Sequence, residues 1–398
     1  MDTCGDNRLQ EEKLAQLPAI LAETGMDVWL VWVRETVHTP DPVLPLVLGA
    51  DLVWPSALLF TATGERVAIV GSFDAAVIPA DLYDRVVPYT EGIAALLQAE
   101  LDRIAPRTIG INESKSDVGA DGLTAGMKAL LLDLLAPTSH AARLVSAERV
   151  IARFRGRKSP LEQERIRRAV RLTEGILAEL EGFLAVGQTE REIQAFVHRR
   201  MGELGVGFAW QPASNPAVDA GPEKAFGHGA PSENRTKRGH LLHLDFGVQA
   251  EGYSADLQRM YFFGEVDEVP DEVARAFATV RDAIAVAADF LRPGVRGVDV
   301  DAVARAHVVA RGYPPFAHAL GHQIGRFAHD GGTLLGPPWE RYGDAPFGVV
   351  EEANVFTLEL HVPTVRYGPV GLEEDVLVTA RGCEFLSRPQ TSLRCIAA

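Results

Sequence analysis

Four apolar stretches in the second half of this 398-residue chain carry carboxylates where a buried strand should carry none. One is Val355-Phe356-Thr357-Leu358-Glu359-Leu360. Another, from Val370 to Val378, is interrupted by the triplet Glu373-Glu374-Asp375. The other two, His243 to Gln249 and Tyr253 to Leu257, read as strands joined by a tight turn and carry Asp245 and Asp256. With the turn centred on Ala250 and Glu251, these aspartates face each other directly, their Cβ atoms ~4.5–5.5 Å apart on one face. A slip of one residue would put them on opposite faces. Bare carboxylates so placed repel, and burying one without a partner is costly, so they require a shared proton or shared cations. Carboxylates on solvated strand faces are the plain alternative.

Histidine placement adds to this. Eight of the eleven histidines (His228, His240, His243, His307, His318, His322, His329 and His361) fall in the third of the chain between 228 and 361. In His318-Ala319-Leu320-Gly321-His322-Gln323-Ile324-Gly325 two of them are spaced as helical zinc ligands can be. Gly321 and Gly325 disfavour a helix, however, and predict an extended or looped segment that can approach other backbone closely. Asp245, Asp256, His322, Glu359 and Glu373 together form a donor set suited to two divalent cations of the Mn, Co or Zn kind. Such pairs, ~3.5–4 Å apart, make water nucleophilic and stabilise an oxyanion, which is metal-assisted hydrolysis.

The first ~150 residues alternate as an α/β domain does. Helical spacing covers Arg8 to Thr24, with Pro18 predicting a kink or fresh start and Gly25 a cap. Val28 to Val33 reads as a buried strand, and Leu58–Thr61 with Val67–Val70 as a hairpin. Gly92–Ile104 and Leu123–Leu135 read as helices. This half gathers no histidines or paired carboxylates and reads as a structural or oligomerisation domain. The basic stretch Arg153 to Lys158 reads as a solvated linker, placing the division at 1–156 and 157–398. Beyond it, Ser159 and Thr189 each open a capping box before a helix. Helices are also expected over Pro270–Leu291 and Val298–Arg311, so the second half is α+β.

Acidic side chains outnumber basic ones by 54 to 39, a net charge of −15, which suits neither a nucleic-acid phosphate backbone nor a basic membrane anchor. Three cysteines make no disulfide framework. No apolar run approaches the ~20 residues of a membrane span, and the polar first residues are unlike a signal peptide. The expectation is a soluble, cytoplasmic protein.

Asp-Phe-Gly followed by Asp256, the run His-x-x-Gly-His-x-x-Gly, and His329-Asp330 before two glycines resemble the pita-bread metallopeptidases, the group of methionine aminopeptidase, aminopeptidase P, prolidase and creatinase. The resemblance covers nearly the whole chain. It implies an α+β pita-bread catalytic domain behind a smaller α/β creatinase-like N-terminal domain. It further implies Asp245 on one metal, His322 and Glu359 on the other, and Asp256 and Glu373 bridging. Glu359 is implied also as the proton shuttle, and His228, His318 and His329 as substrate-facing catalytic histidines. The family pattern Glu-Pro-Gly-x-Tyr is replaced by Glu359-Leu360-His361-Val362-Pro363, so its tyrosine is missing. Its arginine two residues before the last glutamate is Gly371, and its threonine two after the second aspartate is Gln258. His361 or Tyr367 is a candidate to compensate. The activity implied is cleavage of Xaa-Pro dipeptides by a homodimer with two divalent metal ions. Aminopeptidase P action on longer Xaa-Pro peptides and a non-catalytic pita-bread binding module are the alternatives.

Overall fold

The computed structural model of the chain describes residues 7–223 and 229–397, and His228 lies outside the described residues. Two compact units are present, Met1–Leu161 and Glu162–Ala398. Among the described residues no helix is long and apolar enough to cross a membrane.

The first unit is built on a mixed six-stranded sheet, β1 (Val28–Val33), β2 (Ser56–Thr61), β3 (Arg66–Gly71), β4 (Arg85–Tyr89), β5 (Ile109–Ile111) and β6 (Leu144–Ser146), in the order β4-β3-β2-β1-β5-β6. Every residue of β1 is buried, because helices cover both faces and remove any need for alternation. Val28, Leu30 and Trp32 pack with Leu97, Leu101, Met127 and Leu131 of the helices Ala94–Ile104 and Ala125–Leu135. On the opposite face Trp29 meets Phe154 edge-on at 5.3 Å. The predicted first helix is two, Arg8–Leu14 and Leu17–Thr24, the second starting at the proline and ending on a left-handed Gly25.

The basic stretch is not a solvated linker. Arg153 and Arg155 belong to the helix Glu148–Gly156, and Arg155 and Lys158 are buried. Arg155 donates to the Gly119 carbonyl at 3.0 Å and Lys158 to the Arg155 carbonyl at 2.7 Å. Charged heads reach backbone acceptors while their stems fill the core, a use of basic residues that composition does not reveal.

The second unit contains β7 (Gly207–Phe208), β8 (Ala217–Ala220), β9 (Leu241–Phe246), β10 (Val248–Ala250), β11 (Tyr253–Ser254), β12 (Leu257–Phe263), β13 (Val355–Val362), β14 (Val370–Val378), β15 (Cys383–Phe385) and β16 (Arg394–Ile396). The main sheet runs β13-β14-β12-β9-β8, with β15 beside β14 and β16 beside β12, and a small sheet runs β11-β10-β7. Phe356, Leu358 and Leu360 of β13 pack in one core with Val273, Phe277, Val280 and Ile284 of the helix Asp271–Phe290. By strand alternation Thr357, Glu359 and His361 take the other face. The capping box of Thr189 and Glu192 opens the helix Glu190–Leu204 as the sequence predicts.

The hairpin register differs from expectation by two residues. Gln249 pairs with Ser254 and Ala250 with Tyr253, so the turn is centred on Glu251 and Gly252, at φ +51° and +76°. Two left-handed residues make the turn whose twist matches the strands, and glycine at the second position favours it. Asp245 therefore pairs with Gln258, and Asp256 lies two residues away diagonally. A two-residue shift preserves parity, so both aspartates keep to one face.

The segment 318–325 is non-helical and zipped along β13. Thr357 N–H donates to the His322 carbonyl at 2.9 Å, Glu359 N–H to the Leu320 carbonyl at 2.7 Å, and His322 N–H to Thr357 Oγ1 at 3.2 Å. A Cβ at Gly321 would lie 1.9 Å from the Thr357 carbonyl oxygen, so only glycine permits this approach. Gly321→Ala is expected to cost about 3 kcal/mol or more in urea unfolding, the mark of backbone displacement rather than side-chain loss.

Candidate metal centre

One row of paired residues crosses the main sheet. Ala217 faces Asp245, Asp245 faces Gln258, Gln258 faces Glu373 and Glu373 faces Glu359. Three of the expected metal ligands thus stand on neighbouring strands at one level. Asp256 joins them from the start of β12, and His322 is brought over by its ladder to β13. His322 Nε2 lies 3.6 Å from Glu359 Oε1, 3.9 Å from Glu373 Oε1 and 3.9 Å from Asp256 Oδ2. Ligand atoms of Asp256, His322 and Glu373 all fall within 4.8 Å of one another.

The electrostatics of this cluster are unfavourable without a cation. Burial, then the charge of Asp245, pushes Asp256 well above the usual carboxylate range. Burial and the charges of Asp256 and Glu359 do the same to Glu373. Glu359 is pushed up to about 8 by burial and Asp245. Burial and the neighbouring His329 push the His322 imidazole down to about 3, so it is neutral. Asp256 Oδ1 and Glu373 Oε1 are buried and accept no hydrogen bond. Buried acceptors without donors, beside a neutral imidazole, are what a divalent cation requires, so the residues present fit a metal centre.

The rest of the triplet is engaged differently, and Asp375 keeps one buried oxygen that accepts no hydrogen bond. Glu374 points away and pairs with buried Arg259 at 3.0 Å. Asp375 Oδ2 accepts from the Asp256 N–H at 3.2 Å. Of the expected catalytic histidines, His329 stands edge-on to His322 with ring centres 4.2 Å apart. His318 Nε2 lies 3.0 Å from His361 Nδ1, and the two rings stack at 4.8 Å. His307 belongs to the helix Gly297–Ala310, and His240 directly precedes β9. The residue that sequence reasoning left without a role is Gln258, whose amide nitrogen lies 2.9 Å from both Glu359 Oε2 and Glu373 Oε2. Its signal was its position opposite Asp245, legible only once the register is known.

Residues 164–380, more than half of the chain, match the sequence profile of metallopeptidase family M24. The chain belongs to metallopeptidase family M24. Among solved structures, this M24 chain is similar to an X-Pro aminopeptidase from Thermotoga maritima, with a TM-score of 0.70 and 24% identity over 96% of this chain and 99% of that one. A dipeptidase from Mycobacterium ulcerans superposes with a TM-score of 0.77 and 21% identity over 99% of both chains. These likenesses establish the fold as pita-bread with an N-terminal α/β domain. A Xaa-Pro dipeptidase of Pyrococcus horikoshii is 28% identical over 246 residues, 61% of this M24 chain and 66% of the relative, just under two thirds of its length. An uncharacterized peptidase of Staphylococcus aureus is 27% identical over 335 residues, 83% of this chain and 87% of the relative.

The raised carboxyls fix the sign of a pH effect. A group with a folded-state pKa of about 8 against an ordinary value of 4.5 binds more protons folded than unfolded. The metal-free protein therefore gains stability as pH falls from 8 toward 6.5, the value below which His322 and His361, held neutral by burial, begin to oppose it, and loses stability as pH rises through that window. Differential scanning fluorimetry should show the melting temperature of chelator-treated protein climbing over this range. Saturating Mn²⁺ should abolish the trend.

Proposed function

We propose that the chain is a dinuclear-metal hydrolase of Xaa-Pro bonds, acting on Xaa-Pro dipeptides. The observation that carries this reading is the convergence of Asp245, Asp256, His322, Glu359 and Glu373 on one sheet face, with buried carboxylate oxygens that accept no hydrogen bond. Asp245 would serve one metal, His322 and Glu359 the other, and Asp256 and Glu373 both. Divalent cations such as Mn, Co or Zn would supply Lewis acidity and lower the pKa of water there.

The chain's own residues supply the rest. Glu359 is assigned the proton transfer because its side chain is 22% exposed, against 2% for Glu373 and 9% for Asp256. A carboxylate at the open side of the cluster can take a proton from the attacking water and deliver it to the leaving prolyl nitrogen. His318 and His329, flanking His322 in the sequence and near it in space, are assigned to the substrate. His228, on the segment outside the described residues, is assigned with them on the family resemblance alone. The Pyrococcus relative named a Xaa-Pro dipeptidase supports the dipeptide preference. The likeness to an X-Pro aminopeptidase supports the second reading, removal of the first residue from longer Xaa-Pro peptides. Homodimerisation and the two-domain division follow the same resemblance.

The deciding assay sets Xaa-Pro dipeptides beside Xaa-Pro-Xaa tripeptides, with Mn²⁺ or Co²⁺ restored. Higher kcat/KM on the dipeptides is expected, and preference for tripeptides would establish the aminopeptidase reading. Asp256→Ala should lower kcat/KM by more than the about 100-fold that changes outside a metal's direct ligands cost. Hydrolysis surviving that substitution would exclude the dinuclear mechanism.

A further inference from the structure

Behind the carboxylate cluster runs a chain of buried polar side chains that a five-ligand metal centre does not by itself require. Gln258, 7% exposed, stands on β12 between Asp245 of β9 and Glu373 of β14. Its amide nitrogen serves both glutamates at 2.9 Å through their Oε2 atoms. The Oε1 atoms of the same glutamates are the ones that face His322. The amide oxygen lies 3.0 Å from His243 Nε2. His243 Nδ1 lies 3.0 Å from Asp219 Oδ2, and these residues are 4% and 5% exposed.

We propose that Asp219, His243 and Gln258 form a positioning relay that holds Glu359 and Glu373 with one oxygen each turned toward the metals. The inference rests on the reading of the cluster as a metal centre. Hydrogen accounting supports it. Only the NH₂ end of an amide can donate, so the end facing two carboxylates must be nitrogen and the end facing His243 must be oxygen. That oxygen needs a hydrogen on His243 Nε2. Nδ1 then shares the remaining hydrogen with Asp219, whichever of the two carries it. With Asp219 in place the imidazole presents a donor to Gln258, and a flipped amide would set its oxygen against two carboxylates. Ligand-orienting partners of this kind tune metal affinity as well as rate.

His243→Phe tests the relay without touching either glutamate. A phenyl ring offers the Gln258 amide oxygen no hydrogen in any state, which removes the preference that keeps the NH₂ end on the two carboxylates. Calorimetric titration of the metal-free protein with Mn²⁺ is the readout, alongside kcat and KM on a Xaa-Pro dipeptide. Gln258→Met is expected to weaken Mn²⁺ binding 10–100-fold, and His243→Phe to weaken it as well. The double variant should bind no more weakly than Gln258→Met alone, because both act through one path. In kinetics kcat should fall while KM holds. If His243→Phe fails to fold, His243→Leu cuts the relay at the same link with the same expectation. Mn²⁺ affinities within about twofold of wild type, or penalties that simply add, would overturn the relay. Wild-type protein that takes up no Mn²⁺ would overturn the metal centre and the relay together. Uptake without Xaa-Pro hydrolysis would overturn the proposed substrate alone and leave the calorimetric test intact.

Discussion

The mutual repulsion of carboxylates held in a dry sheet face governs this molecule. Burial raises Asp256, Glu359 and Glu373 together, and each neighbouring charge raises the others further. Such an arrangement persists only where the surrounding structure over-determines it. Here the helix-facing residues of β13 and β14 supply an apolar core on the opposite side, and Arg259 neutralises Glu374 there. One side of the sheet therefore pairs its buried carboxylate with a cation, and the other crowds its carboxylates together.

Burial also decides what the histidines can do. His322 is made neutral by burial, and its carbonyl and N–H are both engaged by Thr357, so its ring is set by backbone rather than by a flexible loop. His361, in place of the family's glycine, engages His318. Its own imidazole is pushed down to about 4 by burial and the neighbouring histidines. The two rings stack against each other where the family pattern has a small residue. The departures in sequence, Gln258, His361, Pro363 and Gly371, fall around the five expected donors and leave those donors themselves in place.

Much of this was legible in the sequence because the signals were local. Apolar runs marked β1, β13 and β14, a proline split the first helix, and a capping box marked the helix Glu190–Leu204. Carboxylates on apolar strands pointed to the cluster because burying them is costly unless something pairs with them. What sequence hid was relational. The hairpin register turned on the left-handed conformation of Glu251 beside Gly252, and the centring on Ala250 passed over that glycine. The burial of Arg155 and Lys158 depends on carbonyls that only the folded unit presents. Gln258 looked like a mere departure from a threonine until its neighbours across two strands were known.

The hairpin at Glu251 and Gly252 carries a consequence for how such chains can change length. Side chains on a strand alternate between faces, so residues added to or removed from one arm in pairs return Asp245 and Asp256 to the same side. An odd change carries one of them through to the face that Arg259 and the apolar residues occupy. Variation at this tip is therefore quantised in steps of two, and a loop that looks dispensable acts as a counting device for the centre beneath it.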